Sequence, residues 1–251
     1  MEAFSPVPSA DRSSERAELL KRHPLFFDLD NEIATQLAVR AVLSRLPKGS
    51  AVFEKGDSGS NLYVLLTGAI RISATSVDGK DGYLYFAFPG DVFGEVGMLD
   101  GGLRTTQAVA IESSEMIAIQ RREFLLALRA HAGLAMRVIE VLCAHLRKSS
   151  EALEDIATLD LPHRLAKALL SLHGRPGRQQ EVRITQNQIS QMVGSTREST
   201  NKQLQVWKKM KILTIKRTGI VVRKPRDLLN WPVTVNGGKN GCQFVNVGAA
   251  K

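Results

Sequence analysis

Between Val42 and Ile119 apolar residues either alternate with polar ones or run together in short blocks. Leu62-Tyr63-Val64-Leu65-Leu66 and Tyr83-Leu84-Tyr85-Phe86-Ala87-Phe88 are two such blocks, and Gly49, Gly56, Gly68, Gly79, Gly82, Gly90 and Gly94 cut the segment into strand-length pieces. Short strands with a turn signal every eight to twelve residues or so predict an antiparallel roll or barrel, here a small β-roll. Before it, the pattern predicts short helices over Glu15 to Lys21 and Asp30 to Ala41, with a turn forced at His23-Pro24-Leu25-Phe26. The first residues, rich in Pro and Ser, read as a flexible leader (1–20, grading into the first helix).

After Arg121 the period becomes helical, and from Ala135 the apolar positions form a seam: Ala135, Ile139, Leu142, Leu146, Ser149, Leu153 and Ile156, in alternating steps of four and three. A heptad seam packs against a second helix by knobs into holes. The chain has no second matching helix, so the natural partner is the same helix in another copy, and a symmetric dimer is expected. The competing reading packs this helix on its own β-roll. Ser149, with Ser150 beside it, is polar where the seam calls for an aliphatic side chain. A buried hydroxyl left unpaired costs about 1–3 kcal/mol, so a cross-seam hydroxyl, water or a ligand is needed to satisfy it.

Asp160-Leu161-Pro162 breaks or restarts the long helix, and an amphipathic helix with Leu165, Leu169 and Leu172 inward follows. His163 and His173 read as surface or capping residues rather than metal ligands. Beyond a Gly/Pro loop over Gly174 to Gly177, two short helices meet at Gly194. Thr185 can cap the first and Ser195 or Thr196 the second, while Ile189, Val193, Leu204 and Trp207 are spaced to close a shared core. This is a helix-turn-helix. Its second helix opens with Arg197 and Glu198 and carries Lys202, and such a helix presents its N-terminal residues to base edges, so Arg197 and Lys202 would face guanine. Ser195-x-x-Glu198 is also a capping box, which gives Glu198 a competing structural role. The Gly/Asn-rich 236–251 is expected to be disordered.

Charge sharpens this division. Of 251 residues, positions 1–157 hold 17 Lys/Arg and 21 Asp/Glu, a net −4, whereas 158–251 hold 17 and 4, a net +13. A folded segment that basic points to a polyanion, first of all nucleic acid. No run of eighteen apolar residues and no secretory pattern occurs, so no membrane role and a cytoplasmic location are expected. Cys143 and Cys242 have no metal spacing, and disulfide and zinc frameworks are not expected. The sequence lacks a Walker-type loop, a His-Glu-x-x-His and a Gly-x-Ser-x-Gly, so an enzyme reading has no residues to carry it.

The remaining chemistry lies in Gly94-Glu95-Val96-Gly97-Met98-Leu99-Asp100-Gly101-Gly102-Leu103-Arg104-Thr105-Thr106. A carboxylate accepts hydrogen bonds from a sugar hydroxyl, a guanidinium neutralises a phosphate, and glycine frees backbone amides as further donors. A surface ion pair on a β-turn is the plainer alternative. Phe93-Gly94-Glu95, a glycine-containing turn and then Arg104-Thr105 resemble the phosphate-binding cassette of cyclic-nucleotide-binding domains. The resemblance implies that Glu95 takes the ribose hydroxyl, Arg104 the cyclic phosphate, Thr105 a phosphate oxygen or a purine edge, and the Gly94 amide another phosphate contact, with Val96 in the same binding set. Thr106 departs from the small apolar residue that many members carry, which leaves the choice between adenine and guanine open.

From about Leu25 to Asp227 the chain resembles bacterial transcription regulators of the Crp/Fnr family. That resemblance implies an α+β protein: a leader (1–20), a cyclic-nucleotide-binding β-roll (21–132), a long dimerisation helix (133–158), a winged helix-turn-helix (159–230) and a tail (231–251). It implies that Ser149 and Ser150 touch the purine, one from each subunit. It further implies that Arg197 and Glu198 read bases, that Thr185 and Gln186 meet phosphates, that Lys202 stands where arginine is usual, and that Ile212 to Val222 forms a β-hairpin wing with Lys216 and Arg217 near the DNA backbone. The expected partners are a pseudo-palindromic double-stranded DNA site, a second copy, a cyclic nucleotide and RNA polymerase. Hydroxyls at Thr105, Thr106, Ser149 and Ser150 favour cyclic AMP over cyclic GMP only slightly, since a hydroxyl serves either purine. A regulator that needs no ligand and a cyclic-nucleotide regulatory subunit that does not bind DNA are the alternatives.

Overall fold

The computed structural model describes residues 12–75, 81–173, 181–182, 184–216 and 219–232, which fall into two compact units divided between Leu146 and Arg147. The first unit opens with α1 (Arg12–Lys21) and α2 (Asn31–Arg40). Eight strands follow: β1 (Val42–Leu46), β2 (Ala51–Phe53), β3 (Asn61–Thr67), β4 (Ile70–Thr75), β5 (Asp81–Ala87), β6 (Val92–Phe93), β7 (Gln107–Ala110) and β8 (Ser114–Gln120). A short α3 (Glu95–Asp100) interrupts them between β6 and β7, and α4 (Arg121–Ala130) and α5 (Ala132–Thr158) come after.

The strands form two antiparallel four-stranded sheets in the orders β1-β8-β3-β6 and β2-β7-β4-β5, the interleaving of a jelly roll. The first sheet is buried on both faces, and this accounts for its unbroken apolar blocks. On β3, Tyr63 and Leu65 join the core between the sheets while Leu62 and Val64 join the core under the helices. On β8, Met116 and Ala118 take the first side and Ile117 and Ile119 the second. The register sets Tyr63 against Ala118 and Val64 against Ile117, so the two strands present matching faces.

The first helix begins at Arg12, and its Ala17 and Leu20 lie in the helix-side core. Residues 12–20 are therefore part of the folded unit and not of a leader; the apolar pair anchors them. His23 fixes the next turn, its Nδ1 accepting from the Leu25 amide at 3.0 Å and its Nε2 bonded to the Gly90 carbonyl at 2.9 Å.

The long helix α5 runs through the division between the units. Leu134 and Val138 are buried in the first unit, with Val141 and Leu142 packed beside them. Ile139, Leu146, Leu153 and Ile156 of the predicted seam are instead exposed, by 51, 68, 69 and 59%. Packing on the unit's own roll thus takes one face of α5, including Leu142 of the seam, and leaves Ile139, Leu146, Leu153 and Ile156 uncovered.

The second unit contains α6 (Leu161–His173), β9 (Glu181–Val182), α7 (Gln186–Met192), α8 (Arg197–Lys209), β10 (Leu213–Ile215), β11 (Ile220–Val222) and α9 (Pro225–Leu229). Its sheet has the order β10-β11-β9. Asp160 ends the run from α5 and caps α6, its Oδ1 accepting from the His163 amide at 3.1 Å. His163 is buried rather than at the surface: its ring bonds to Asp160 Oδ1 and, through Nε2, to the Trp231 carbonyl at 2.9 Å. Leu165, Leu169, Leu172, Ile189, Val193, Leu204 and Trp207 close the core, and Trp207 meets Trp231 edge-on with 5.4 Å between ring centroids.

Among the described residues no helix is long and apolar enough to cross a membrane, and no group of three His, Cys, Asp or Glu side chains is placed to hold a metal ion. Cys143 is exposed. Residues 1–11, the loop over 174–177, Arg217, Cys242 and the tail from 233 lie outside the described residues.

Candidate functional site

Strand β6 delivers the chain into Gly94, which adopts φ 78° as the residue before α3. That left-handed backbone suits glycine, and there is a second reason for it. A Cβ at this position would come within 2.9 Å of Arg104 Nη1. The turn after α3 brings Arg104 back over the same spot. Its Nη1 donates to the Gly94 carbonyl at 2.5 Å and its Nη2 to the Asn61 carbonyl at 2.7 Å. The guanidinium lies 4.3 Å from the centroid of Phe53 and 5.6 Å from that of Tyr63, which stack on each other.

Arg104 and Glu95 are both buried, at 3 and 7% exposure, so the pair is not a surface ion pair on a turn. Burial lowers the Arg104 pKa from its ordinary value, and Tyr63, Glu95 and Asp57 act in the opposite direction. One guanidinium nitrogen, Nε, is buried without any hydrogen-bond partner. A buried donor of a charged group with no acceptor is costly.

Glu95 is the first residue of α3 and its Oε1 lies 2.9 Å from Nδ1 of His145 on α5. The His145 ring packs on Tyr85, 5.7 Å between centroids. Burial pushes the Tyr85 phenol well up from its ordinary value, and the carboxylates of Glu95 and Asp91 add to that. Glu95 also lines a small apolar cavity of the helix-side core, together with Leu62, Val92, Met98, Phe124, Val138 and Leu142. The first unit therefore gathers a carboxylate, a guanidinium and a left-handed glycine at one place.

Of the other residues expected there, Val96 and Thr105 are exposed, and Thr106 is half-buried. Ser149 and Ser150 stand exposed on α5, in the second unit. Sequence reasoning missed His145, Tyr85, Asn61 and Tyr63. For His145 a signal existed, because it lies one helical turn before Ser149 on the helix already singled out. Asn61 acts through its carbonyl, which no side-chain pattern discloses.

In the second unit, Thr185 caps α7: its Oγ1 accepts from the Gln188 amide at 3.2 Å, and Gln188 Oε1 accepts in return from the Thr185 amide at 2.8 Å. Gln186 begins the helix, half-buried. Gly194, at φ 62°, makes the turn between the helices, where a side chain would be strained. Thr196 caps α8, accepting from the Ser199 amide at 3.1 Å. The Ser195-to-Glu198 capping box is thus absent, because the helix starts one residue later than that box requires. Arg197, Glu198 and Lys202 all project exposed from the first turns of α8, and Lys208, Lys209, Lys211, Lys216 and Lys224 add exposed positive charge to the unit.

Comparisons with known proteins agree with this division. Residues 43–131 match the cyclic nucleotide-binding domain family and residues 163–231 the Crp-like helix-turn-helix domain family. A Mycobacterium tuberculosis protein described as a CRP-like cAMP-activated global transcriptional regulator is 31% identical over 193 residues, covering 74% of this chain and 86% of that protein. The cyclic AMP receptor protein of Thermus thermophilus is 32% identical over 186 residues, covering 74 and 85%. Among solved structures, FixK2 from Bradyrhizobium japonicum superposes with a TM-score of 0.69 at 22% identity, over 78% of this chain and 98% of that one. The global regulator CLP of Xanthomonas campestris gives 0.65 at 20% identity, over 77 and 99%. These last two likenesses concern the fold alone.

Proposed function

Because the chain belongs to the Crp/Fnr family of cyclic-nucleotide-binding, DNA-binding transcription regulators, we propose that cyclic AMP is its effector and that it works as a symmetric dimer on a pseudo-palindromic DNA site. The observation that carries the ligand reading is the buried, unpartnered Nε of Arg104 beside the buried carboxylate of Glu95. A cyclic phosphate supplies the missing acceptor and a ribose hydroxyl donates to the carboxylate. Gly94, Val96 and Thr105 border that place in the chain, and Ser149 and Ser150 are the candidate purine contacts. Two similar relatives bear names that specify cyclic AMP, which favours it over cyclic GMP.

The dimer reading rests on the exposed apolar seam of α5. Four large aliphatic side chains in heptad register are costly to leave in water over a helix of 27 residues. Pairing two copies along this seam sets two recognition helices in two-fold relation, matching half-sites about one turn of DNA apart. Arg197, Glu198 and Lys202 are the candidate base readers, Thr185 and Gln186 the candidate phosphate contacts, and the basic second unit supplies non-specific affinity. RNA polymerase is the proposed partner at the promoter, and the cytoplasm the proposed site of action.

Activation requires that cyclic AMP bind the DNA-competent state more tightly than the other. Moving a population from nearly all inactive to nearly all active takes about 5.5 kcal/mol of such preference. Calorimetric titration of the purified chain with cyclic AMP and, separately, cyclic GMP tests the ligand reading. Tighter binding of cyclic AMP supports it. Preference for cyclic GMP reassigns the effector, and no heat from either leaves a regulator that needs no nucleotide.

A further inference from the structure

Helix α3 carries Glu95 at its start and is only six residues long. A helix that short is marginal on its own, so whatever holds its ends decides whether the carboxylate keeps one direction. Gly94 ahead of it has no side chain to cap with, and its last turn contains no basic residue. The positive charge that suits that end comes from Arg121, the first residue of α4. Its Nε donates to the Met98 carbonyl at 2.7 Å, and its Nη2 reaches the Leu99 carbonyl at 3.4 Å. Carbonyls of a last turn have no partner inside the helix, and a cation beside them also complements the helix dipole.

The backbone of the same arginine closes the frame. The Arg121 amide donates to the Ser60 carbonyl at 2.8 Å, and the next carbonyl along, that of Asn61, accepts from Arg104 Nη2 at 2.7 Å. Two arginines are thus anchored on consecutive residues, one holding α3 and the other facing the ligand place. The fit around them is close. A Cβ on Gly101, at φ 77°, would come within 3.1 Å of Arg121 Nη2, and a Cβ on Gly59 would fall 2.2 Å from the Gly97 carbonyl oxygen of α3. Met98 follows Glu95 by less than one helical turn, so a hold on its carbonyl fixes the turn that bears the carboxylate. We infer that Arg121 is a positioning residue for nucleotide binding: by tying the end of α3 to the segment that holds Arg104, it fixes the carboxylate relative to the guanidinium, so that one ligand meets both with its ribose hydroxyl and its phosphate. This rests on the reading of Glu95 as the ribose acceptor.

The ribose of cyclic AMP has one free hydroxyl, at the 2′ position, and 2′-deoxy cyclic AMP lacks it. The test is calorimetric titration of the full-length protein with each of these two ligands, on the native chain and on Arg121→Ala and Arg121→Lys. The native chain should prefer cyclic AMP by about tenfold to a hundredfold, the worth of a hydrogen bond to a charged group. Arg121→Ala should bind cyclic AMP more weakly and the deoxy compound about as before, so that the preference falls toward equality. Arg121→Lys, which keeps the charge and a donor for one carbonyl, should show an intermediate preference. A general loss of stability weakens both ligands alike and leaves their ratio unchanged. The native ratio in every variant that binds overturns the role of Arg121 and leaves the nucleotide site standing. Equal binding of the two ligands by the native chain overturns the reading of Glu95 and with it this one. Circular dichroism on each variant confirms that a loss of binding is not a loss of fold.

Discussion

Arg104 and Gly94 are built around each other: the arginine Nη1 donates to the glycine carbonyl at 2.5 Å, and a Cβ on the glycine would crowd that same nitrogen at 2.9 Å. Replacing Gly94 by Ala both strains a backbone at φ 78° and displaces the guanidinium. The strain is worth about 1–3 kcal/mol. Gly94→Ala should therefore lower the midpoint of thermal unfolding and weaken cyclic AMP binding together. Arg104→Lys retains the charge but cannot serve two carbonyls and a phosphate from one planar group. It should lose most of the nucleotide affinity in the same calorimetric assay, and unchanged affinity would move the phosphate elsewhere.

On α8 a one-residue distinction is testable. Thr196 accepts from the Ser199 amide, so Thr196→Ala should cost about 1 kcal/mol, whereas Ser195→Ala should cost little; urea unfolding of the two variants decides between them. Glu198 is thus free of a capping duty, which is compatible with the base-reading role proposed for it and for Arg197. Arg197→Ala should weaken binding to the preferred DNA site by about 1–3 kcal/mol and relax base choice at one position per half-site. Uniform weakening on all sequences would mark a phosphate contact instead.

How far the sequence discloses this molecule depends on whether a feature is local. The apolar block of β3 is readable because both of its faces are buried, and the helix-turn-helix is readable because Gly194 and the apolar positions around it follow a short fixed spacing. Glu95 and Arg104 are legible as a pair, through one turn. The partner His145 is 50 residues from Glu95, and the carbonyl of Asn61 is 43 residues from Arg104, so only the packed fold brings them together. Two further points turn on register and anchoring. Ser195 and Thr196 are chemically equivalent as caps, and the choice is made by where α8 begins. Arg12 to Lys21 looks weakly amphipathic alone, and it is the core beneath Ala17 and Leu20 that makes it part of the fold.

Stability should depend on His23. Its Nδ1 accepts an amide proton from Leu25, so the ring is neutral with its proton on Nε2 toward Gly90, and charging it puts a second N–H against the first. Burial lowers its pKa from the ordinary 6.5, with the Gly90 bond and Asp91 opposing. The unfolded chain thus binds this proton more readily than the folded one. The contribution is complete above pH 6.5 and declines as pH falls below that value. Urea unfolding as a function of pH should show the decline in the native chain and a shallower one in His23→Gln; parallel curves would assign the pH dependence to other groups.

The seam on α5 makes a separate prediction. Leu153 is 69% exposed in the single chain, so a charge there should leave each unit folded. Leu153→Glu should convert a dimer to a monomer in analytical ultracentrifugation and reduce DNA affinity with it. A variant that remains dimeric would place the interface on another surface.

The central claim, that a cyclic nucleotide governs sequence-specific DNA binding by this chain, is tested most directly by selecting bound duplexes from a randomised DNA pool with and without cyclic AMP at a fixed salt concentration. The account predicts a two-fold-symmetric motif enriched strongly with cyclic AMP and weakly without it. The same motif at the same enrichment in both selections would contradict it.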